Sequence, residues 1–227
     1  MSVYAPIKRK LYTLIMPLDL ENKRILLGYK KRGFGMGKYN GFGGKVEENE
    51  TILEGAIREL QEESCIKGTD LSYHGILFLE AIADATLPIL EIHVFAVTKW
   101  EGEPAETDEM RPEWYSASPD YTGSVVDEKI PFTQMWEETA EWLPLLLSAY
   151  FGKDGSPEHG KQKQLVHHAT FGSAINPETG LEDVWHGMLD NYFVWVEDEE
   201  GIPKLEGWES EARGAWVEER RKRRFGL

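Results

Sequence analysis

The chain has 227 residues, of which 41% are hydrophobic and eight are tryptophan, and this suits one α/β domain with extensions. Its formal net charge of −15 disfavours a nucleic-acid polymer as partner, because duplex binding requires a cationic surface. The single cysteine, the lack of an apolar run near the roughly 20 residues that span a bilayer, and a start without a signal-peptide pattern predict a soluble intracellular protein with no membrane partner.

The first predicted elements are two short strands, at residues 11–19 and 24–31, which are joined by a polar turn. Six glycines follow within residues 33–45. Their spacing matches neither a Walker A phosphate loop nor the glycine fingerprint of dinucleotide-binding folds. We therefore expect this glycine-rich segment to be a mobile or tightly turned wall beside the helix that comes next.

That helix begins at Thr51, which forms a capping box with Glu54 three residues later. Its apolar residues repeat at helical spacing and predict one buried face. This face consists of Leu53, Ala56, Ile57 and Leu60.

Three glutamates of the same helix, Glu59, Glu62 and Glu63, cluster to one side of the apolar face. Like charges one turn apart repel each other by a few tenths of a kcal/mol, and a hard divalent cation such as Mg²⁺ would remove this repulsion and bring substrate phosphates with it. The glycine pair Gly43-Gly44 stands just before the helix and lets the backbone approach a ligand closely. The alternative interpretation is a solvated acidic face.

Two strands are predicted after the helix, at residues 71–83 and 89–100. His93 lies in the second strand, and we expect it to be a packed histidine because no partner stands at metal-ligand spacing. An acidic loop at 101–111 holds Glu109, and residues 133–149 predict a second helix. Pro144 either divides this helix or lies in the first turn of a shorter one that begins near Glu141.

From residue 151 onwards the sequence is less informative. Residues 151–164 are loop-like, residues 190–198 predict a strand, and residues 207–225 predict a helical or frayed tail. The basic run at 220–224 is interpreted as a solvated tail, with a nuclear-import signal as the alternative.

The spacing of Gly44, Glu50, Arg58-Glu59-Leu60 and Glu62-Glu63 resembles the Nudix box, G-x5-E-x7-R-E-U-x-E-E-x-G-U. If each fixed residue occurs by chance at about one position in fifteen, all six match by chance at about one placement in ten million. Cys65 departs from the pattern, which has glycine at this position. We therefore expect the helix to run on and to end at Gly68.

Further motifs resemble the oxidised-purine nucleoside triphosphatase branch of the Nudix hydrolases, the animal-type MutT homologues. This resemblance covers residues 10–148, with insertions near 83–86 and 118–128. The motifs are Leu11-Tyr12-Thr13-Leu14, Lys30-Lys31-Arg32-Gly33-Phe34-Gly35, Asn40-Gly41-Phe42-Gly43-Gly44-Lys45, His93-Val94-Phe95, Asp108-Glu109-Met110-Arg111-Pro112 and Met135-Trp136.

The resemblance implies an α/β (α+β) Nudix fold, a mixed β-sheet sandwiched between helices. It also implies Mg²⁺-dependent hydrolysis, with Mn²⁺ as the alternative ion, of an oxidised purine nucleoside triphosphate such as 8-oxo-dGTP to the monophosphate and pyrophosphate. We expect a core at residues 8–150, a loop-rich insertion or extension at 151–190, and a last strand with a charged helical tail at 191–227. The expected protein is a monomer of the cytoplasm, with the nucleus and the mitochondrion as alternatives.

The family's functional residues carry over by position. The implied metal ligands are the Gly43 carbonyl and the carboxylates of Glu59, Glu62, Glu63 and Glu109, and these four glutamates are also the candidate catalytic residues. The implied substrate-binding residues are Thr13, Lys30, Phe34, Asn40, Gly43, Gly44, Lys45, Leu90, Trp136, Glu138 and Thr139.

Glu138 and Thr139 stand where the family has two adjacent aspartates that contact the base edge, so only one carboxylate remains. The alternatives to this function are a Nudix hydrolase for ADP-ribose, NADH or a dinucleoside polyphosphate, and a non-catalytic nucleotide-sensing module. The presence of every carboxylate of the box argues against the non-catalytic alternative.

Overall fold

The computed structural model describes residues 8–117, 128–152, 164–176, 179–196 and 210–225. The helices are α1 (Ile52–Ser64), α2 (Thr139–Phe151) and α3 (Ser210–Phe225), and a short 3-10 turn spans Phe132–Gln134. The strands are β1 (Arg9–Asp19), β2 (Arg24–Lys30), β3 (Tyr39–Asn40), β4 (Lys67–Ala81), β5 (Ile89–Glu101), β6 (Met110–Ser116), β7 (Glu128–Lys129), β8 (Gln164–Phe171), β9 (Ala174–Ile175), β10 (Glu182–Asp183) and β11 (Met188–Val196). In these residues no helix is long and apolar enough to cross a membrane.

The main sheet is mixed, and its strands follow the order β11-β8-β4-β5-β1-β2-β6-β7, with β3 beside β2. The pairs β1–β5, β4–β8 and β6–β7 are parallel, and the other pairs are antiparallel. β9 and β10 form a separate hairpin. The strands predicted at 11–19, 24–31, 71–83, 89–100 and 190–198 are confirmed within a few residues.

The glycine-rich segment 33–45 is held against the sheet. β1 pairs with β2 only near the turn that joins them. Towards the N-terminal end of β1, the glycine-rich segment takes the place of β2 beside it. The Ile15 N–H donates to the Phe42 carbonyl at 2.6 Å, and the Thr13 N–H donates to the Gly44 carbonyl at 2.9 Å. Gly43 therefore lies against the backbone of β1, where a Cβ would meet the Thr13 carbonyl oxygen at 2.1 Å.

Helices cover both faces of the sheet, as predicted. Leu60 of α1 and Val217 of α3 belong to one buried apolar cluster. Trp142 and Leu143 of α2 belong to a second cluster. Because the sheet is covered twice, successive residues of a central strand such as β1 are buried in turn on opposite faces.

Helix α1 begins as predicted, with the capping box between Thr51 and Glu54. The predicted apolar face is wrong at Leu53, which is 47% exposed, whereas Ala56 and Leu60 are fully buried. The predicted end at Gly68 is also wrong. The helix ends at Ser64, and Cys65 takes the left-handed conformation (φ 65°) that a glycine usually adopts at this position.

Neither alternative for Pro144 is correct. α2 begins at Thr139, so Pro144 is the sixth residue of a helix that continues to Phe151. Proline removes the N–H that would bond to the carbonyl of Ala140, four residues earlier. Both residues are exposed, so this side of the helix faces solvent and the loss is tolerated.

The sequence analysis did not identify β8, a strand between β4 and β11 that lies within the segment expected to be loop-rich. Most of the predicted loop 151–164 lies outside the described residues. The helical tail is confirmed as α3, and the interpretation of the basic run 220–224 as solvated is correct for Lys222 and Arg223, which are exposed, but not for Arg221. Val217 is fully buried, and Arg221 donates to Glu80 of β4 at 2.7 Å.

His93 is a packed strand histidine, as expected. It is buried, and its Nδ1 lies 2.9 Å from the Tyr73 hydroxyl while its Nε2 lies 3.0 Å from Glu91. Glu91 is also bonded by Arg9 and by Arg213 of α3. α3 is thus joined to the sheet by an ion pair on β4 and another on β5, in addition to the apolar contact of Val217.

Candidate active site

A cavity of about 210 Å³ lies between the glycine-rich segment, the central strands and the start of α2. Its lining residues come from positions far apart in the sequence. They are Tyr12, Thr13, Leu14, Lys30, Phe34, Gly35, Lys38, Asn40, Gly41, Gly43, Gly44, Leu77, Leu79, Leu90, Ile92, Glu109, Met110, Trp136, Glu138, Phe171 and Trp185.

One part of the cavity wall carries carboxylates gathered around Lys30. The Lys30 ammonium lies 2.7 Å from Glu63 and 2.5 Å from Glu109, and the Gly43 N–H donates to the other oxygen of Glu63 at 2.8 Å. Burial raises the pKa of the Glu63 carboxyl, even against the opposing charge of Lys30. Burial would lower the pKa of Lys30, but Glu63 and Glu109 outweigh it and raise that pKa.

The remaining carboxylates of the box are gathered by Arg58. Its guanidinium binds Glu50 through two nitrogens at 2.7 and 2.9 Å, and it also reaches Glu59 at 2.8 Å and Glu62 at 3.0 Å. Burial raises the pKa of Glu59, and the nearby charge of Glu62 adds to this effect. Arg58 thus orients the acidic side of α1, as planar bidentate recognition of carboxylates allows.

The chemistry of these donors fits a hard divalent cation. Carboxylates and a backbone carbonyl are the ligands that Mg²⁺ prefers, and the missing side chain of Gly44 leaves room beside Glu59, whose carboxylate carbon would lie 2.6 Å from a Cβ there. In the described part of the chain, no three carboxylate, imidazole or thiol side chains are placed around one common point. Arg58 and the Lys30 ammonium supply the positive charge instead, so a bound cation would require the glutamates to exchange these partners.

The other part of the cavity is aromatic and polar. Phe34 stacks on Trp136 with ring centroids 5.1 Å apart, and the ammonium of Lys38 lies 5.2 Å from the centroid of the Trp136 ring. Asn40 is held by its own neighbour, because its side-chain oxygen accepts the Gly41 N–H at 2.9 Å. The hydroxyl of Thr13 is buried and has no hydrogen-bond partner among the described residues.

Glu138 is the buried carboxyl of this part. It precedes the first residue of α2, is 3% exposed, and has one oxygen without a hydrogen-bond partner among the described residues. Burial raises the pKa of Glu138 to about 7, with a further contribution from the charge of Glu137 and an opposing one from Lys38. At neutral pH this side chain can therefore accept or donate a hydrogen bond.

The structure brings most of the predicted site residues to this cavity. Lys45 and Thr139 do not line it: Lys45 is exposed outside it, and Thr139 is 1% exposed at the first position of α2. Glu59, Glu62 and Glu63 stand behind the lining, on α1, and Glu62 is exposed. The catalytic and ligand roles of these residues stay predictions.

Sequence reasoning missed several lining residues. Lys38 lies in the glycine-rich segment. A cation that faces an aromatic ring and a carboxylate could have indicated a binding role. Phe171 and Trp185 come from the C-terminal part of the chain, where no motif was recognised. Nothing in the local sequence indicates that these two aromatics reach the cavity.

Comparison with known proteins bears on the family and the fold. Residues 8–119 match the model of the NUDIX domain family. The oxidized purine nucleoside triphosphate hydrolase of Danio rerio is 46% identical over 138 residues, which are 61% of this chain and 80% of that protein. The protein of the same name from Mus musculus is 43% identical with the same coverage. The crystal structure of the MutT protein from Bacillus halodurans shares the fold at a TM-score of 0.55 and 21% identity, covering 81% of this chain and 97% of that one.

Proposed function

Because this chain belongs to the Nudix family, we propose that it hydrolyses oxidised purine nucleoside triphosphates, such as 8-oxo-dGTP, to the monophosphate and pyrophosphate. Its relatives in Danio rerio and Mus musculus carry the name of this activity and share 46% and 43% of the aligned residues. The family's divalent metal is proposed to be Mg²⁺. The resulting role is the removal of damaged nucleotides from the precursor pool.

One observation carries this proposal: a single cavity has an acidic part and a base-sized aromatic part. Lys30, Glu109 and the Gly43 backbone stand at the first, and Trp136 and Glu138 stand at the second. A nucleotide has the same division, with charged phosphates at one end and a flat base at the other.

Glu59, Glu62, Glu63, Glu109 and the Gly43 carbonyl would hold the metal. When bound, Mg²⁺ supplies neutralisation of the charge that develops on the phosphates. The chain's own part is to orient the attacking water and to accept its proton. A carboxylate of this group that hydrogen-bonds the attacking water can orient it and accept its proton.

Lys30 is the positive side chain at the acidic part of the cavity. Its ammonium bridges Glu63 and Glu109 here, and the same donor can turn to a phosphate oxygen when the carboxylates take up a cation. The raised pKa of Lys30 keeps it protonated at physiological pH. We assign to it the binding of phosphate and not the abstraction of a proton.

The base is recognised by Glu138 together with the aromatic rings. An ionised Glu138 accepts from the N1–H and the amino group of 8-oxoguanine, while Phe34 and Trp136 present flat faces for stacking. Since the second aspartate of the family is replaced by Thr139, this chain is expected to prefer 8-oxo-dGTP over 2-hydroxy-dATP and to reject dGTP only modestly.

The test is a panel of 8-oxo-dGTP, 2-hydroxy-dATP, dGTP, dATP, ADP-ribose and NADH, measured as kcat/KM on one preparation with and without Mg²⁺. We expect 8-oxo-dGTP to be hydrolysed best, pyrophosphate to be released, and activity to disappear without a divalent metal. A better reaction with ADP-ribose or NADH would contradict the substrate class, and a better reaction with dATP or dGTP would contradict the base recognition. For variants that remove a carboxylate of the Nudix box, Glu48→Gln is the control, because Glu48 is an exposed glutamate of the loop before α1.

A further inference from the structure

We propose that Trp185 is a further base-binding residue, whose indole meets the edge of a purine base that lies against Trp136. This inference rests on the proposed function and deepens it. It assigns a base-binding role to residues 172–176 and 179–188, here called the hairpin segment because they contain β9 and β10. The segment lies outside residues 8–119, which match the family model, and outside the motifs recognised in the sequence.

The first observation is that Trp185 lies beside two other aromatic rings of the cavity. Its ring lies 6.0 Å from the Phe34 ring at an interplanar angle of 78°, and Phe34 in turn stacks on Trp136. The Trp185 ring also lies 6.2 Å from Phe171 at the end of β8. Four aromatic rings from three distant parts of the chain therefore form a continuous wall around one cavity, and Trp185 closes it at the hairpin segment.

The second observation is that hydrogen bonds connect the hairpin segment to Glu137, which is next to residues proposed to contact the base. The carboxylate of Glu137 accepts the Gly187 N–H at 3.1 Å and the Met188 N–H at 2.7 Å, and it pairs with Nδ1 of His186 at 3.1 Å. Glu137 stands between Trp136 and Glu138 in the sequence. The residue that fixes the hairpin segment is thus flanked by two of the residues proposed to contact the base.

Contacts within the hairpin segment fix the approach of Trp185 itself. Its backbone N–H donates to the Asp183 carboxylate at 2.9 Å, and Asp183 belongs to β10, which pairs with β9. The His186 N–H donates to the Asp183 carbonyl at 3.2 Å, and this closes a tight turn around Trp185. Because the backbone that carries Trp185 is fixed in this way, less conformational entropy is lost when a base binds against its side chain.

The physical consequence is a contribution to binding of the base and none to the phosphates. In this orientation an indole ring meets a purine edge to face, and its N–H can donate to a carbonyl oxygen. Oxidised guanine carries one more carbonyl oxygen than guanine, so the indole side of the cavity is chemically suited to it. Glu137 is a positioning residue that acts through Trp185.

The experiment compares the parent protein with Trp185→Ala, Trp185→Phe and Leu181→Ala. Leu181 belongs to the same hairpin segment, is 69% exposed and does not line the cavity, so it is the matched control. Steady-state KM and kcat are measured for 8-oxo-dGTP with Mg²⁺. Equilibrium binding of 8-oxo-dGMP, dGMP and tripolyphosphate is measured without metal by calorimetry, and folding is checked by thermal melting.

For Trp185→Ala we expect KM and the Kd of 8-oxo-dGMP to rise about tenfold, about 1.4 kcal/mol, with kcat changed by less than about threefold. Tripolyphosphate binding should stay within about twofold of the parent. Trp185→Phe, which keeps a flat ring, should recover most of the affinity, and Leu181→Ala should match the parent. A merely structural role of Trp185 would move tripolyphosphate binding and kcat as well.

The double variant Glu137→Ala/Trp185→Ala tests the positioning role. If Glu137 acts through Trp185, its removal alone raises KM by a few-fold and adds nothing once Trp185 is absent. Trp185→Ala with an unchanged KM and an unchanged Kd for 8-oxo-dGMP would overturn the inference while the parent's activity still supports the proposed function. A parent that does not hydrolyse 8-oxo-dGTP would overturn the proposed function, and the nucleotide-binding measurements would then still decide whether Trp185 covers a purine.

Discussion

The substitution Glu138→Gln should make the protein more stable at alkaline pH. Glu138 is buried at the start of α2, and one of its oxygens has no hydrogen-bond partner among the described residues. Burial raises its pKa from an ordinary value of 4.5 to about 7. The ionised carboxylate is therefore less stable in the folded protein than in the unfolded chain, where water solvates it.

The sign and the size of the effect follow from proton linkage. Between pH 4.5 and about 7 the folded state keeps a proton that the unfolded state has released, so the free energy of unfolding falls as the pH rises through this interval. The full difference in pKa corresponds to about 3 kcal/mol at about 1.4 kcal/mol per unit. Glutamine has nearly the same shape and no charge, so the variant lacks this loss.

The assay is urea denaturation of the parent and of Glu138→Gln at about pH 5 and about pH 8.5, followed by tryptophan fluorescence. The stability of the variant relative to the parent should increase by about 2 to 3 kcal/mol between these two pH values, because every other titrating group is shared. Glu141→Gln is the control, since Glu141 is an exposed glutamate in the first turn of the same helix. An equal pH dependence in the parent and in Glu138→Gln would refute the reasoning.

Three other predictions follow from the same structure. Glu59→Gln and Glu63→Gln should each lower kcat at least about 100-fold without loss of fold, and turnover within a few-fold of the parent would contradict their assignment to the metal site. Cys65→Gly should raise the unfolding free energy by about 1 kcal/mol, because Cys65 has φ 65° at the C-terminus of α1; a lower urea midpoint would show that the Cys side chain itself is stabilising. Val217→Ala should lower the unfolding free energy by about 2 kcal/mol in urea denaturation, since Val217 is fully buried, whereas an unchanged midpoint would mean that α3 does not stabilise the fold.

The sequence by itself determined the local elements of this protein. The capping box at Thr51 and Glu54 depends on residues three apart, and the structure contains it as predicted. The order of residues in the Nudix box fixes Glu59, Glu62 and Glu63 on one helix, because helical geometry relates neighbours within one or two turns. The strands on either side of α1 were equally readable, since their apolar residues form short continuous runs.

The local sequence pattern predicted burial wrongly where packing against a distant element decides which residues are buried. Leu53 has helical spacing to Leu60, yet it is exposed because none of the residues that the structure describes covers that side of α1. The charged composition of α3 indicates a solvated tail, yet Val217 meets the sheet and Arg221 meets Glu80. Hydrophobic pattern predicts which residues can be buried, but only the topology decides which of them find a partner.

The candidate site shows the same division. The acidic part was predictable, because Glu59, Glu62 and Glu63 lie in one short motif and Glu109 lies in a second one. The wall formed by Lys38, Phe171 and Trp185 was not, since these residues come from three separate segments and meet only when β8 enters the sheet beside β4. A purine pocket is a concave surface shared by several elements, and its shape is fixed by their packing and not by the sequence of any one of them.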